Sequence, residues 1–297
     1  MPPPRLSWLL VLLPLWLVIS GGIAIWYFFH LEKQQALVEQ QRFVQSVSTT
    51  LLEDDLRKIV EVIGERNTSS TTAAANLSRT ASMIEGLLGP SNSGYAVKKH
   101  TGPGNWPILQ VSLTGKTIQS PAVWVVTSYD SQARSRGAEA NATGLAATLS
   151  AAQALAGDKP QRSVHFIFLP HSNDLGSPVI QTAEKFAELS RTNQAPHTVL
   201  CVEAMGTGDT LCLSSRDTSA RPLDQIHGLG MVIAADTMQE DETDLASRLC
   251  KLNLPAVRVA TRAQLMPGEV DNRMPSAPTV AASAGRLIEL IRRCAAN

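Results

Sequence analysis

The chain has 297 residues, with 26 Lys and Arg balanced by 26 Asp and Glu, 44% apolar residues and only 5% aromatic ones. That is enough apolar material for one domain with a substantial core, and too even a charge balance for the basic stripe that nucleic-acid binding needs. Four cysteines (Cys201, Cys212, Cys250, Cys294) lie far apart with no Cys-x-x-Cys pair, which excludes a zinc ribbon and a dithiol redox motif; buried free thiols are the expected state.

In chain order, Leu6 to Phe29 carries no charged residue and ends in Trp26, Tyr27, Phe28 and Phe29. At about 1.5 Å per helical residue it is long enough to cross a bilayer core, and its aromatic end suits the headgroup region. The run exceeds a signal-peptide core and lacks a clear cleavage site, so residues 1–29 are expected to form a retained membrane anchor. Arg5 before the span, and Lys33 alongside Glu32 after it, leave the orientation open. Residues 30–50 follow as a helical stalk rich in Gln and Glu. Apolar residues recur near the helical period as far as Ile63, and the part from Leu51 to Ile63 is expected to pack on the domain of residues 51–297.

Beyond Pro107, strands are expected at Ile108–Leu113, Ala122–Thr127, Ser163–Leu169, His197–Val202, Met231–Ala234 and Ala256–Ala260, and helices at Asn141–Ala156, Val179–Leu189 and Thr279–Ala295. The alternation implies an α/β fold, a three-layer αβα sandwich with a mixed, mainly parallel sheet. Sites in such sheets form at the carboxyl ends of strands, which draws attention to Thr127–Asp130, Leu169–Asn173, Val202–Gly206 and Ala260–Pro267.

At those ends the chain resembles the zinc aminopeptidase family with two co-catalytic metals, which also includes glutamate carboxypeptidase, glutaminyl cyclase and several non-catalytic relatives. The resemblance rests on Val125–Ser131, Arg136–Gly144, Ser163–Phe168 with Gly176-Ser177, Cys201–Gly206 and Asn253–Val257, in family order, with Gly64–Asn67 resembling the segment that opens the peptidase domain. It implies five metal ligands and a general base, which can be carried over residue by residue. Ser128 stands at the first His ligand, and Asp130, which supports the metal site, is kept. Ala140 stands at the bridging Asp. Ser172 falls at the general base and Asn173 at the next ligand. Glu203 stands at an acidic ligand and is chemically suitable. Leu265, within Gln264–Pro267, falls where the last His belongs; no His follows His227.

Two neighbouring dications need several carboxylate and imidazole donors. A hydroxyl, a methyl, an amide and a leucine do not replace them, so no zinc, other cofactor or catalytic residue is expected. The expected function is a membrane-anchored, inactive homologue that binds a protein or peptide partner, with its N-terminus cytoplasmic and its domain extracytoplasmic, the orientation that resemblance to exported enzymes implies. The alternatives are an active exported metallo-aminopeptidase with an atypical site, built for instance from His171, Asp130, Glu139 or Glu203, and a structural subunit of a membrane complex. A Ser-His-Asp arrangement of Ser128 or Ser172 with His171 and Asp130 lacks a nucleophile elbow. Arg134 and Arg136 read as solvated loop charge, Gly206–Asp209 as a turn, and Asn67, Asn76 and Asn141 head short glycosylation sequons.

Overall fold

The computed structural model describes residues 47–173, 177–216, 222–232, 244–262 and 271–296, together with 16, 20–23 and 25–30. The chain divides into two units, Met1–Gln45 and Ser46–Asn297. The expected anchor Leu6–Phe29 lies largely outside the described residues, as do most of the stalk, Leu265 and part of Met231–Ala234. Among the described residues no helix is long and apolar enough to cross a membrane.

Within Ser46–Asn297, helix α1 (Thr49–Arg57) starts where the Ser48 hydroxyl accepts the Leu51 N–H and runs on as a wider π turn to Ile63. Its inward stripe is Leu52, Leu56, Ile59 and Val60, all buried, while Leu51 is exposed. The segment packs on the domain, with Leu52 and not Leu51 turned inward. Burying each of these side chains contributes about 1.5–3 kcal/mol. Helix α2 (Thr71–Leu88), capped by Ser70, buries Leu77, Ala81, Ile84 and Leu88; it was not anticipated from the sequence.

The sheet among the described residues has eight strands: β1 (Lys98–Thr101), β2 (Pro107–Leu113), β3 (Ala122–Ser128), β4 (Val164–Leu169), β5 (Pro196–Val202), β6 (Leu211–Ser214), β7 (Gly230–Val232) and β8 (Ala256–Ala260). Their order is β1-β2-β4-β3-β5-β8-β6-β7, with β4, β3, β5 and β8 mutually parallel at the centre. The antiparallel pairs are β1–β2, β2–β4 and β6–β8. The remaining helices are α3 (Thr143–Ala154), α4 (Ser177–Asn193), α5 (Pro222–Gln225), α6 (Leu245–Lys251) and α7 (Ala277–Ala296).

Period-two alternation builds the layers. Val123, Val125, Leu200, Val202, Val257 and Val259 share one core with residues of α1, α2, α3 and α7. Trp124, Val126, Val199, Cys201 and Ala256 share the other with Phe186 of α4 and Leu245 and Leu249 of α6. Central strands covered on both faces read as continuous apolar runs, which is why β3, β4, β5 and β8 were visible in the sequence. All four cysteines are free; burial pushes the Cys201 thiol up, and Cys294 up to about 12.

Candidate functional site

The carboxyl ends of the central strands converge on one cluster of polar residues. β3 ends at Ser128 and leads into Asp130, which is fully buried. Its Oδ2 accepts the backbone N–H groups of Ser172 (2.8 Å) and Asn173 (2.9 Å), and its Oδ1 accepts the Asn173 side-chain amide at 3.1 Å. Burial pushes the Asp130 carboxyl up, against those donors and the nearby His171. The loop after β4 is therefore tied to the end of β3 by a carboxylate.

The Asn173 amide also donates to Ser128 Oγ at 2.9 Å, and Asn141 Nδ2 donates to the same hydroxyl and to the Ser128 carbonyl, both at 2.8 Å. Because Asp130 Oδ1 needs a donor, the NH2 side of Asn173 must face it, and so the same NH2 also faces Ser128. Asn141 Oδ1 in turn accepts Arg66 Nη2 at 2.9 Å. Arg66 is fully buried and spends its other N–H groups on the carbonyls of Tyr129, Ile59 and Gly64. Burial lowers its pKa to about 10, with Asp130 and Asp271 holding it up.

The backbone of this half is shaped by two glycines. Gly137 takes a left-handed φ of 57°, and a Cβ there would stand 2.9 Å from Ser131 Cβ. It precedes a π turn at Ala138–Ala142 that leads into α3. A Cβ on Gly144 would stand 2.2 Å from the Glu203 carbonyl oxygen, so its hydrogen lets α3 touch the end of β5. Asp271 caps the turn: its two carboxylate oxygens accept the N–H groups of Glu139 and Ala140, each at 2.7 Å.

The other half is different. Glu203, just past β5, accepts Arg258 Nε of β8 at 2.6 Å. Arg258 is 4% exposed and the Glu203 side chain 26%. Arg258 Nη1 also donates to the Arg262 carbonyl at 3.0 Å. Glu139, two residues beyond Gly137, turns to Gly206 N–H (3.0 Å) and Thr207 Oγ1 (2.8 Å); burial pushes its carboxyl up, against those two donors.

The structure thus brings Ser128, Asp130, Ser172 and Asn173 into one hydrogen-bonded group and pairs Glu203 elsewhere. His171 is buried, with its ring edge-on to Trp106 at 6.4 Å. Ala140 offers only its backbone N–H, to Asp271. Among the described residues no three His, Cys, Asp or Glu side chains stand close enough to hold one metal ion. Arg134 and Arg136 are exposed, as expected of solvated loop charge. The sequon residues Asn67, Asn76 and Asn141 are all buried with their amides hydrogen-bonded, which is incompatible with glycans in this fold. Sequence reasoning missed Arg258 and Asp271, and used Arg66 only as a landmark. Arg258 had a visible signal, a lone cation inside the apolar strand Ala-Val-Arg-Val-Ala, since Arg is almost never fully buried unless paired.

An αβα sandwich with this strand order is a zinc-peptidase-like fold. The sequence model of Peptidase family M28 matches residues 109–248, from β2 to α6, so the resemblance seen in the motifs holds. No curated protein sequence matches the chain. Among solved structures, the Legionella pneumophila LapA aminopeptidase is similar with a TM-score of 0.69 at 14% identity, over 87% of this chain and 74% of its own. The Bacteroides thetaiotaomicron glutaminyl cyclase bound to N-acetylhistamine gives 0.61 at 12% identity, over 83% and 98%. A Zn-dependent exopeptidase from Parabacteroides distasonis gives 0.59 at 14% identity, over 83% and 98%. At these identities it is the fold that is shared.

Proposed function

We propose that this chain is a metal-free, non-catalytic zinc-peptidase homologue, held at a membrane by Leu6–Phe29 with its domain extracytoplasmic, that binds a protein or peptide through the cleft at the strand ends. Its relatives suggest zinc, but the donors here do not fit that ion. The carrying observation is that Ser128 and Asn173, which stand at positions that ligate metal in the family, hydrogen-bond to each other at 2.9 Å, the Asn173 NH2 donating to the Ser128 hydroxyl. An N–H group has no lone pair for a cation. The remaining acidic position, Glu203, already holds a guanidinium, and Ala140 has no donor atom in its side chain. At Ser172 a hydroxyl stands where a carboxylate would take a proton from water. The charge-free apolar run with its aromatic end supports the anchor. A fold keeps its core when its strand-end groups change and does not dictate function, which supports a binding role.

The test uses the full-length chain in mild detergent. Elemental analysis should find well under one zinc per chain, and aminoacyl test substrates should not be hydrolysed. A Ser128→His, Ala140→Asp variant should stay inactive, because no Glu stands at 172 or 173. Two zinc ions per chain with hydrolysis by the wild type would overturn the reading.

A further inference from the structure

We infer that Arg258 is the resident cation of this site: a positioning residue that supplies, by a covalently tethered guanidinium, the positive charge that Glu203 would otherwise require from a bound ion, and so holds the carboxyl ends of β5 and β8 together. The inference deepens the metal-free reading and rests on it.

Strand geometry places the pair. Cys201 lies opposite Arg258 across the parallel β5–β8 ladder. Side chains two apart on a strand share a face, so Glu203 comes off β5 on the same side of the sheet as Cys201. On the other flank, Ser214 of β6 lies opposite Arg258. The neighbours Val257 and Val259 point into the opposite core. Arg258 therefore stands in the middle of a sheet, in a strand whose five residues are all buried.

Placing a guanidinium there is unfavourable unless a carboxylate meets it. Glu203 does so at 2.6 Å, a charge-assisted distance. The second guanidinium contact, to the Arg262 carbonyl, ties down the chain as it leaves β8. Glu203 N–H donates to the Val259 carbonyl at 3.0 Å, so backbone and side chains join the same two strand ends. A metal ion joins strand ends by the same logic, one cation shared by groups from several elements. Here the cation is part of β8 and cannot dissociate.

A charge role and a packing role separate in a pairwise mutant cycle on the full-length chain, read as thermal midpoint. Arg258→Met keeps most of the volume and leaves Glu203 without its partner; it should lower the midpoint by roughly 10 °C. Adding Glu203→Gln to it should restore about half of that loss or more, since the uncompensated carboxylate is gone. Arg258→Lys, which keeps the charge, should fall between wild type and Arg258→Met. If Arg258→Met alone does not fold, the double variant should still fold. A double variant no more stable than Arg258→Met, or unfolded together with it, would overturn the role of charge. Zinc added to wild type is the separate arm: it should leave the midpoint unchanged, and a rise of several degrees would overturn the metal-free reading on which the inference rests.

Discussion

The two halves of the strand-end cluster handle charge in opposite ways. On the β3–β4 side the neutral Ser128 and Asn173 are knitted into a lattice with Asp130, Asn141 and Arg66. On the β5–β8 side the acidic Glu203 is met by Arg258. One side spreads its hydrogen bonds through neutral side chains linked to Asp130 and Arg66; the other pairs a carboxylate directly with an internal counter-ion. Both outcomes leave buried polar groups paired, which is the condition for a stable interior.

Substitutions should separate the halves by size of effect. The largest is expected for Arg66→Met, which removes a fully buried cation and strips the lattice of its donors to Asn141 and to three backbone carbonyls. Breaking such a buried network costs about 3–5 kcal/mol, readable as a fall in the urea midpoint. Next is Asp130→Asn: one of its acceptor oxygens becomes an NH2 among N–H donors, at a cost of roughly 2–3 kcal/mol. Glu203→Gln should cost slightly less, about 2 kcal/mol: the buried Arg258 guanidinium loses its carboxylate, but the amide oxygen can still accept from it. Equal losses in the last two variants would erase the distinction between a sealed lattice and a part-exposed pair.

The smallest effect provides a control away from both halves. Burial, opposed by Lys58, raises the Asp55 pKa in α1 from 3.8 to about 6. A group with a raised folded pKa contributes stability below its unfolded value and loses it as pH rises through the folded one. Asp55→Asn should therefore be neutral near pH 4 and stabilising by roughly 1–2 kcal/mol at pH 8, measured as the difference in urea midpoints. The Arg66 and Asp130 losses should persist at pH 8.

How much of this was legible in the sequence depended on the range of the signal. The central strands announce themselves because burial on both faces makes them apolar throughout, as in Ala122–Ser128. The strand-end motifs place Ser128, Asp130 and Glu203 because local order preserves them. β1 was invisible: Lys-Lys-His-Thr has no apolar alternation and becomes a strand only by pairing with β2 at the sheet edge. Helix α2 carries its stripe at Leu77, Ala81, Ile84 and Leu88, but the Ser, Thr and Ala residues between them dilute the signal. Arg258 looks anomalous in its strand, but its partner lies 55 residues earlier, and no local pattern names it. Asp271 caps a turn more than 130 residues upstream of itself, which only the folded chain reveals.

The central claim is that these strand ends hold no metal pair, and an anomalous-scattering map at the zinc edge tests it most directly. Crystals of the chain equilibrated with zinc should show no peak within coordinating distance of Ser128, Asn173 or Glu203, with Arg258 still seated on Glu203. Two adjacent peaks beside Asp130 and Glu203, with the guanidinium displaced, would contradict it.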